Sequence, residues 1–348
     1  MPVSPESVSS NAPHGAGSAH VLVVAPSWLG DCVMVMPALA AFRKRLPGVH
    51  ISILAKPTVA ALWTLVEGVE SVIPLKTGFK GMRETVCAVR EGGFDFAYVL
   101  PKSFRSAWIP FLARVRGRRG MAGHGRDWML TETVVLSAEA ERGHQSLEMA
   151  EVFHIAPGDL ESPPFLLVPD AVRTSVKDRY LASGSAARPL IAFFPGAAHG
   201  PAKRWPTDRF VALGQRVVAD TGCAVLVLGG KGDVAVCAET ARGIGPGAMD
   251  LAGRTSLPEL AGVLAACRCV VANDSGGMHL AAGLGVPVVG LFGMTDPGKT
   301  APVGNRNRLL TAEGVVRSRD IDRDSTEARQ ALESITVESV HQAVTELM

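Results

Sequence analysis

His20-Val21-Leu22-Val23-Val24-Ala25 runs straight into Pro26-Ser27-Trp28-Leu29-Gly30-Asp31. The first six residues are short, apolar and rich in β-branched side chains, the composition of a strand buried on both faces of a parallel sheet. A loop at Pro26–Gly30 follows, then a helical segment from Asp31 to Arg45 closed by Pro47-Gly48. Pro37 inside that segment is expected to kink it or to mark its first turn. The alternation then continues with a strand at His50–Leu54, a helix at Thr58–Val66, a strand at Ser71–Pro74, a helix near Met82–Glu91 and a strand at Phe94–Leu100. Strand and helix in strict alternation predict a parallel sheet with helices on both faces.

A proline-rich turn at 163–169, a polar helix at Ala171–Ala182 and the small residues from Ser183 to Arg188 mark a domain boundary. A second series follows. Strands are expected at Leu190–Phe194, Ala224–Leu228, Cys269–Ala272 and Pro287–Phe292, and helices at Thr207–Thr221, Asp233–Arg242, Leu257–Ala266 and Ser275–Leu284. Val337, Val340, Val344 and Leu347 recur at helical spacing behind Thr336, a good N-cap, and predict a terminal amphipathic helix. The expected fold is α/β, two doubly wound Rossmann-like domains facing across a cleft. Residues 20–168 form the first domain and 169–330 the second, with the helix at 331–348 and a disordered tail at 1–19.

Composition narrows the class. The chain has 348 residues, 47% hydrophobic and 20% charged, with a formal net charge of +2. These proportions exclude a disordered or fibrous protein, and the charge balance gives no reason to expect nucleic acid. The tail lacks the apolar core of a signal peptide. Six cysteines are scattered without a CxxC pair, which fits a reducing cytosol. Cys267 and Cys269 would point to opposite faces of a strand, so they do not share a metal. Gly276–Met294 carries no formal charge, but its glycines and Pro287 divide it into helix, turn and strand, not a membrane span.

Three loops follow strands and carry candidate chemistry. Ser27-Trp28-Leu29-Gly30-Asp31 offers Asp31 either as a helix cap or as a base for an incoming hydroxyl. Pro195-Gly196-Ala197-Ala198-His199-Gly200-Pro201-Ala202-Lys203-Arg204-Trp205-Pro206 begins with small residues and ends with two cations, a design that suits a diphosphate. Asn273-Asp274-Ser275-Gly276-Gly277-Met278-His279 opens a helix directly after a strand, placing backbone N–H groups and the positive helix end beside a ligand.

Two motif matches are weaker. Gly293…Gly298-Lys299-Thr300 satisfies GxxxxGK[ST], yet Pro302 and Gly304 oppose the helix that a nucleotide-hydrolase P-loop needs. Asp320-Ile321-Asp322-Arg323-Asp324 lacks the glycine and glutamate of a calcium loop. From Phe96 to Arg126 the chain has seven basic and no acidic residues, with Trp108 and Phe111 between them. This strip is expected to meet an anion, with Lys102, Arg105, Arg118 and Arg119 as its candidate contacts.

The three loops, in this order and spacing, resemble the motifs of the lipopolysaccharide heptosyltransferases, ADP-heptose-using GT-B glycosyltransferases. The resemblance runs from about His20 to Gly304. The Gly200–Pro206 form is closer to heptosyltransferase II than to heptosyltransferase I, the alternative reading. One departure is that no cysteine follows Cys269, where type II proteins often carry a cysteine-rich segment. The resemblance implies inverting transfer of heptose from ADP-heptose to the lipopolysaccharide inner core. Asp31 would be the general base and Lys203 the cation on the diphosphate. Arg204, Asp274, Ser275, Gly276, Gly277 and His279 would bind the donor. The expected partners are ADP-heptose, a lipid-linked acidic core oligosaccharide and the cytoplasmic face of the inner membrane, with no tightly bound metal or cofactor.

Overall fold

A computed structural model describes residues 19–181, 188–198, 200–317, 322 and 325–348. The tail at 1–18, the linker at 182–187, His199 and most of the Asp320–Asp324 segment lie outside the described residues.

The first lobe contains strands β1 (His20–Val24), β2 (His50–Ala55), β3 (Val69–Pro74), β4 (Phe96–Val99), β5 (Gly117–Met121) and β6 (Glu132–Val134). Its helices are α1 (Leu29–Arg45), α2 (Pro57–Trp63), α3 (Gly78–Glu91), α4 (Phe104–Leu112), α5 (Ala138–Arg142) and α6 (Gln145–Val152). The second lobe opens with α7 (Asp170–Val176), then β7 (Leu190–Phe194), α8 (Thr207–Thr221), β8 (Ala224–Val227), α9 (Val234–Ile244) and β9 (Ala248–Asp250). It continues through α10 (Leu257–Ala265), β10 (Cys267–Asn273), α11 (Gly276–Gly283), β11 (Val288–Phe292), α12 (Pro297–Thr300) and β12 (Asn307–Thr311), and ends with α13 (Thr326–Glu333) and α14 (Val337–Leu347).

The two six-stranded sheets repeat one topology. The first runs β3-β2-β1-β4-β5-β6 and the second β9-β8-β7-β10-β11-β12, with parallel pairing throughout. The order therefore reverses between β1 and β4, and again between β7 and β10. Ligands of such sheets bind at that reversal, outside the carboxyl ends of the strands. The strand residues explain the layering. Val21 and Val23 of β1 join one core cluster, whereas Leu22 and Val24 join another on the opposite face. Cys267 and Cys269 likewise enter different clusters, one on each side of β10.

One core cluster is shared by the lobes: it contains Val33 and Leu39 of α1 together with Met278 and Leu280 of α11. Phe165 N–H donates to the Gly283 carbonyl at 2.8 Å, and an isolated bridge pairs Val66 with Leu166, so the crossing segment is tied to both sides. At the carboxyl end, Ser325 accepts from the Ala328 N–H and starts α13 at Thr326. That helix runs through the expected boundary at 330/331. The terminal helix, capped by Thr336 as expected, lays Val340 and Val344 into the second lobe's core.

The fold divides the basic strip. It comprises β4, α4, β5 and the turn after it, and several of its arginines serve the backbone. Arg118 donates to the carbonyls of Met129, Val115 and Arg116. Arg119 donates to Val152 and Glu151 carbonyls and pairs with Glu132 at 3.2 Å. Both sit towards the start of β5, away from the carboxyl end at Met121, and neither lines the pocket that Lys102 does. Arg126 is fully buried and donates to the carbonyls of Met121, Pro101 and Ser103 and to Ser106 Oγ. It clamps the β4–α4 loop to β5. Arg126→Leu removes every one of these side-chain bonds, including both to the Met121 carbonyl, and is expected to cost roughly 3 kcal/mol. A thermal melt that drops by less than a degree would contradict this role.

Candidate active site

Both reversal points open on the same side of the molecule, and the loops there touch. Helix α1 begins at Leu29 with Trp28 as its N-cap residue and no side-chain cap. Asp31 is thus the third residue of the helix, and the helix-cap alternative does not hold. Asp31 Oδ1 accepts a hydrogen bond from Gln145 Nε2 at 2.9 Å, a contact from the first residue of α6. A cavity of about 340 Å³ lies over this carboxylate, walled in part by Trp28, Lys102, Ser103, Gln145 and Glu148. Glu148 is 5% exposed, and Lys102 Nζ meets it at 2.8 Å. Lys102 is therefore a wall of the pocket that holds Asp31. Arg105 is exposed on α4 and donates to the Lys76 carbonyl instead.

The second lobe supplies a cleft of about 320 Å³ between the loops after β7, β8, β9 and β10. Gly196–Ala198, Ser275, Gly276 and Gly277 line it, as do Leu228–Lys231, Asp233, Thr255 and Ser256. Gly277 has a steric reason: a Cβ there would lie 2.5 Å from the Phe194 ring. Ser275 makes no side-chain cap bond, so the amide end of α11 faces the cleft unblocked by its own hydroxyl.

Fully buried Asn273 joins the loops. Its Nδ2 donates to the Pro195 carbonyl at 2.9 Å, and its Oδ1 accepts from Trp205 N–H at 2.9 Å. Lys203 and Arg204 then diverge. Lys203 Nζ reaches Asp274 Oδ2 at 3.0 Å, both side chains mostly buried, whereas Arg204 pairs with Asp233 at 3.3 Å. Lys203 is not a wall of the cleft; it is held beside Ser275 through Asp274. Lys231, Asp233, Thr255 and Ser256 were missed by sequence reasoning. Gly229-Gly230 directly after β8 was the available signal, because it marks a close backbone approach at a strand's carboxyl end.

The lobes meet between these two cavities. Leu29 of α1 lines the second-lobe cleft, 3.1 Å from the position a Gly276 Cβ would take. A Cβ on Gly30 would lie 2.7 Å from His279 Cδ2. His279 is almost wholly buried, with Nδ1 unpartnered among the described residues. Burial pushes its pKa down to about 4, Lys203 and His144 add to the fall, and Asp274 opposes it. The ring is neutral and fills the gap. His144 Nε2 lies 2.9 Å from the Ala301 carbonyl, and Lys299 Nζ reaches the Glu141 carbonyl. Lys299 thus lies within a four-residue helix and binds the other lobe, an arrangement unlike a phosphate-binding P-loop.

Among the described residues no group of three or more His, Cys, Asp or Glu side chains is placed to hold a metal. Cys32, beside Asp31, is no nucleophile: burial, reinforced by the Asp31 charge, drives its thiol pKa far up.

This geometry is that of a known enzyme class. Residues 82–329 match the model of glycosyltransferase family 9 (heptosyltransferase). The chain belongs to this family. It is 33% identical over 307 residues to lipopolysaccharide heptosyltransferase 2 of Escherichia coli, covering 83% of this chain and 87% of that one. It is 30% identical to lipooligosaccharide heptosyltransferase 2 of Haemophilus influenzae, covering 94% and 99%. The solved E. coli ADP-heptose heptosyltransferase II superposes with a TM-score of 0.81 at 28% identity, over 94% of this chain and 98% of that one. The chain is a GT-B glycosyltransferase, and its two sheets are the two halves of that fold.

Two predictions follow from the site. Gln145→Leu removes the hydrogen bond that orients Asp31 and is expected to lower kcat about ten- to hundredfold while leaving ADP affinity unchanged; parallel loss of ADP binding would show that Gln145 does more than position the base. His279 has a folded pKa below its unfolded value of about 6.5. Its contribution to stability is therefore complete above pH 6.5 and is lost as pH falls towards 4, by roughly 3 kcal/mol in all. Urea unfolding of wild type and His279→Asn across that range checks it, since the variant's profile must be flatter.

Proposed function

We propose that this protein transfers heptose from ADP-heptose to the lipopolysaccharide inner core with inversion, as a heptosyltransferase II-like enzyme at the cytoplasmic face of the inner membrane. The observation that carries the reading is the contact at Gly30 and His279. It puts the Asp31 pocket of one lobe against the helix terminus and Lys203–Asp274 pair of the other.

In this reading the adenosine diphosphate lies in the second-lobe cleft, with phosphates towards Ser275, Gly276 and Gly277. The acceptor saccharide enters the pocket over Asp31. Asp31 takes the proton of the acceptor hydroxyl as that oxygen bonds to the anomeric carbon. The bond from that carbon to the β-phosphate oxygen breaks on the opposite face, and the electron pair leaves with ADP. The charge developing on the β-phosphate is met by Lys203, Arg204 and the amide end of α11. Asp274 keeps the Lys203 ammonium in place, and Asp233 does the same for Arg204. These fixed cations supply what a resident metal would otherwise provide, so the reading requires no cofactor.

The test uses purified protein, ADP-heptose and a defined core acceptor, with product mass and anomeric configuration as readouts. Asp31→Asn is expected to retain ADP binding and to lose transfer by about 10³ or more. Lys203→Met is expected to weaken ADP binding as well as slow transfer. Equal loss of binding in both variants would reject the division of roles.

A further inference from the structure

The face beside the acceptor pocket has no role in the chemistry above, yet it is built in an unusual way. Helix α4 and the turn after β5 bring four aromatic rings together at the surface. Phe104 stacks on Trp108 with centroids 5.6 Å apart, Trp108 stacks on Phe111 at 5.9 Å, and Trp128 sits edge-on to Phe111 at 5.1 Å. Phe104 is 45% exposed and Trp128 60%. Such a cluster normally seeks a covering partner.

Its border is cationic. The Arg118 guanidinium lies 5.5 Å from the Phe111 centroid, and Arg105, Arg114 and Arg116 are exposed on the same segment. On neighbouring α3, Phe79 is 76% exposed and is followed by exposed Lys80 and Arg83. Two nearby acids are already engaged: Asp127 accepts from Gly123 N–H at 2.7 Å, and Glu84 pairs with Lys76 at 2.8 Å.

We propose that this face, α4 with Trp128 at its centre, seats the protein on an anionic lipid bilayer. Amphipathic aromatic rings favour the headgroup layer, and arginines flanking them meet lipid phosphates. None of the described helices is long and apolar enough to cross a membrane. Its place supplies the reason for it. Ser103, the residue before α4, and Lys102 are walls of the pocket over Asp31. An acceptor whose sugar occupies that pocket leaves its lipid end beside α4. The inference rests on the lipid-linked acceptor proposed above, and it adds which residues carry the contact.

The experiment is co-sedimentation of the full chain with vesicles of phosphatidylethanolamine containing roughly one third phosphatidylglycerol, at low salt. Wild type is expected to sediment. Trp128→Ser is expected to weaken binding several-fold, and Arg114→Glu/Arg116→Glu at least about tenfold, because two attractive charges become repulsive. Both variants alter exposed side chains, and transfer to a short, lipid-free core acceptor is expected to stay at the wild-type rate while transfer to a vesicle-borne acceptor falls. Wild-type protein that stays in the supernatant overturns the proposal, as do variants that sediment like wild type. A dimer in solution that Trp128→Ser converts to monomer also overturns it, since the face then belongs to a second copy. Vesicle binding through this face without transfer to either acceptor upholds the surface and defeats the activity reading instead.

Discussion

Everything at the site depends on the closeness of two helix beginnings, α1 in one lobe and α11 in the other. The contact is possible because Gly30 has no side chain to strike His279 and because Gly276 leaves room for Leu29. Each helix follows the first strand on its side of a topological reversal, so each carries its sheet's ligand-binding loop to the seam. The His279 ring between them is held neutral by burial. A charged ring there would face Lys203 across a dry interface. The shared core containing Val33 and Met278 then fixes the lobes around this seam.

Much of the fold was legible because the chain repeats one local rule. Where strands are buried on both faces, as at His20–Val24 and Leu190–Phe194, an uninterrupted apolar run is sufficient signal. The middle of the first lobe hides for the opposite reason. β5 reads Gly117-Arg118-Arg119-Gly120-Met121, which has no apolar run and two long cations at its centre. It is a strand because its arginines reach neighbouring backbone carbonyls, an arrangement among distant residues that periodicity does not register. Helices α5 and α6 were invisible with it, and so was Gln145.

The site was legible in its loops and less so in its connections. Asp31, Lys203 and Ser275 could be picked out because they follow strands, and strand ends are where ligands sit. The division between Lys203 and Arg204 could not be, since adjacent residues in sequence carry no information about which carboxylate each will meet. Asn273 illustrates the same point. As a sequence element it is merely the end of a strand; in the fold its amide ties the loop after β10 to both ends of the loop after β7. Such cross-links are tertiary facts, and they determine whether a cation and a helix terminus converge on one anion or point past each other.

The acceptor side has its own electrostatic logic. Inside the pocket, Lys102 is neutralised by Glu148, a carboxylate almost removed from solvent. Half-exposed Lys102 and buried Glu148 give little net attraction to an anion, because the fields of so close a pair largely cancel. In the proposed reading an acidic acceptor is therefore not drawn in by charge at the place where its hydroxyl meets Asp31. The unpaired positive charge lies outside, on the exposed arginines around the α4 aromatics, where solvent and salt weaken it but the area is large. This separates two tasks that a single basic strip would have confused. In the proposed reading the outer face gathers an anionic, lipid-borne molecule without fixing its orientation, and the inner pocket orients one hydroxyl by hydrogen bonds without competing for its phosphates.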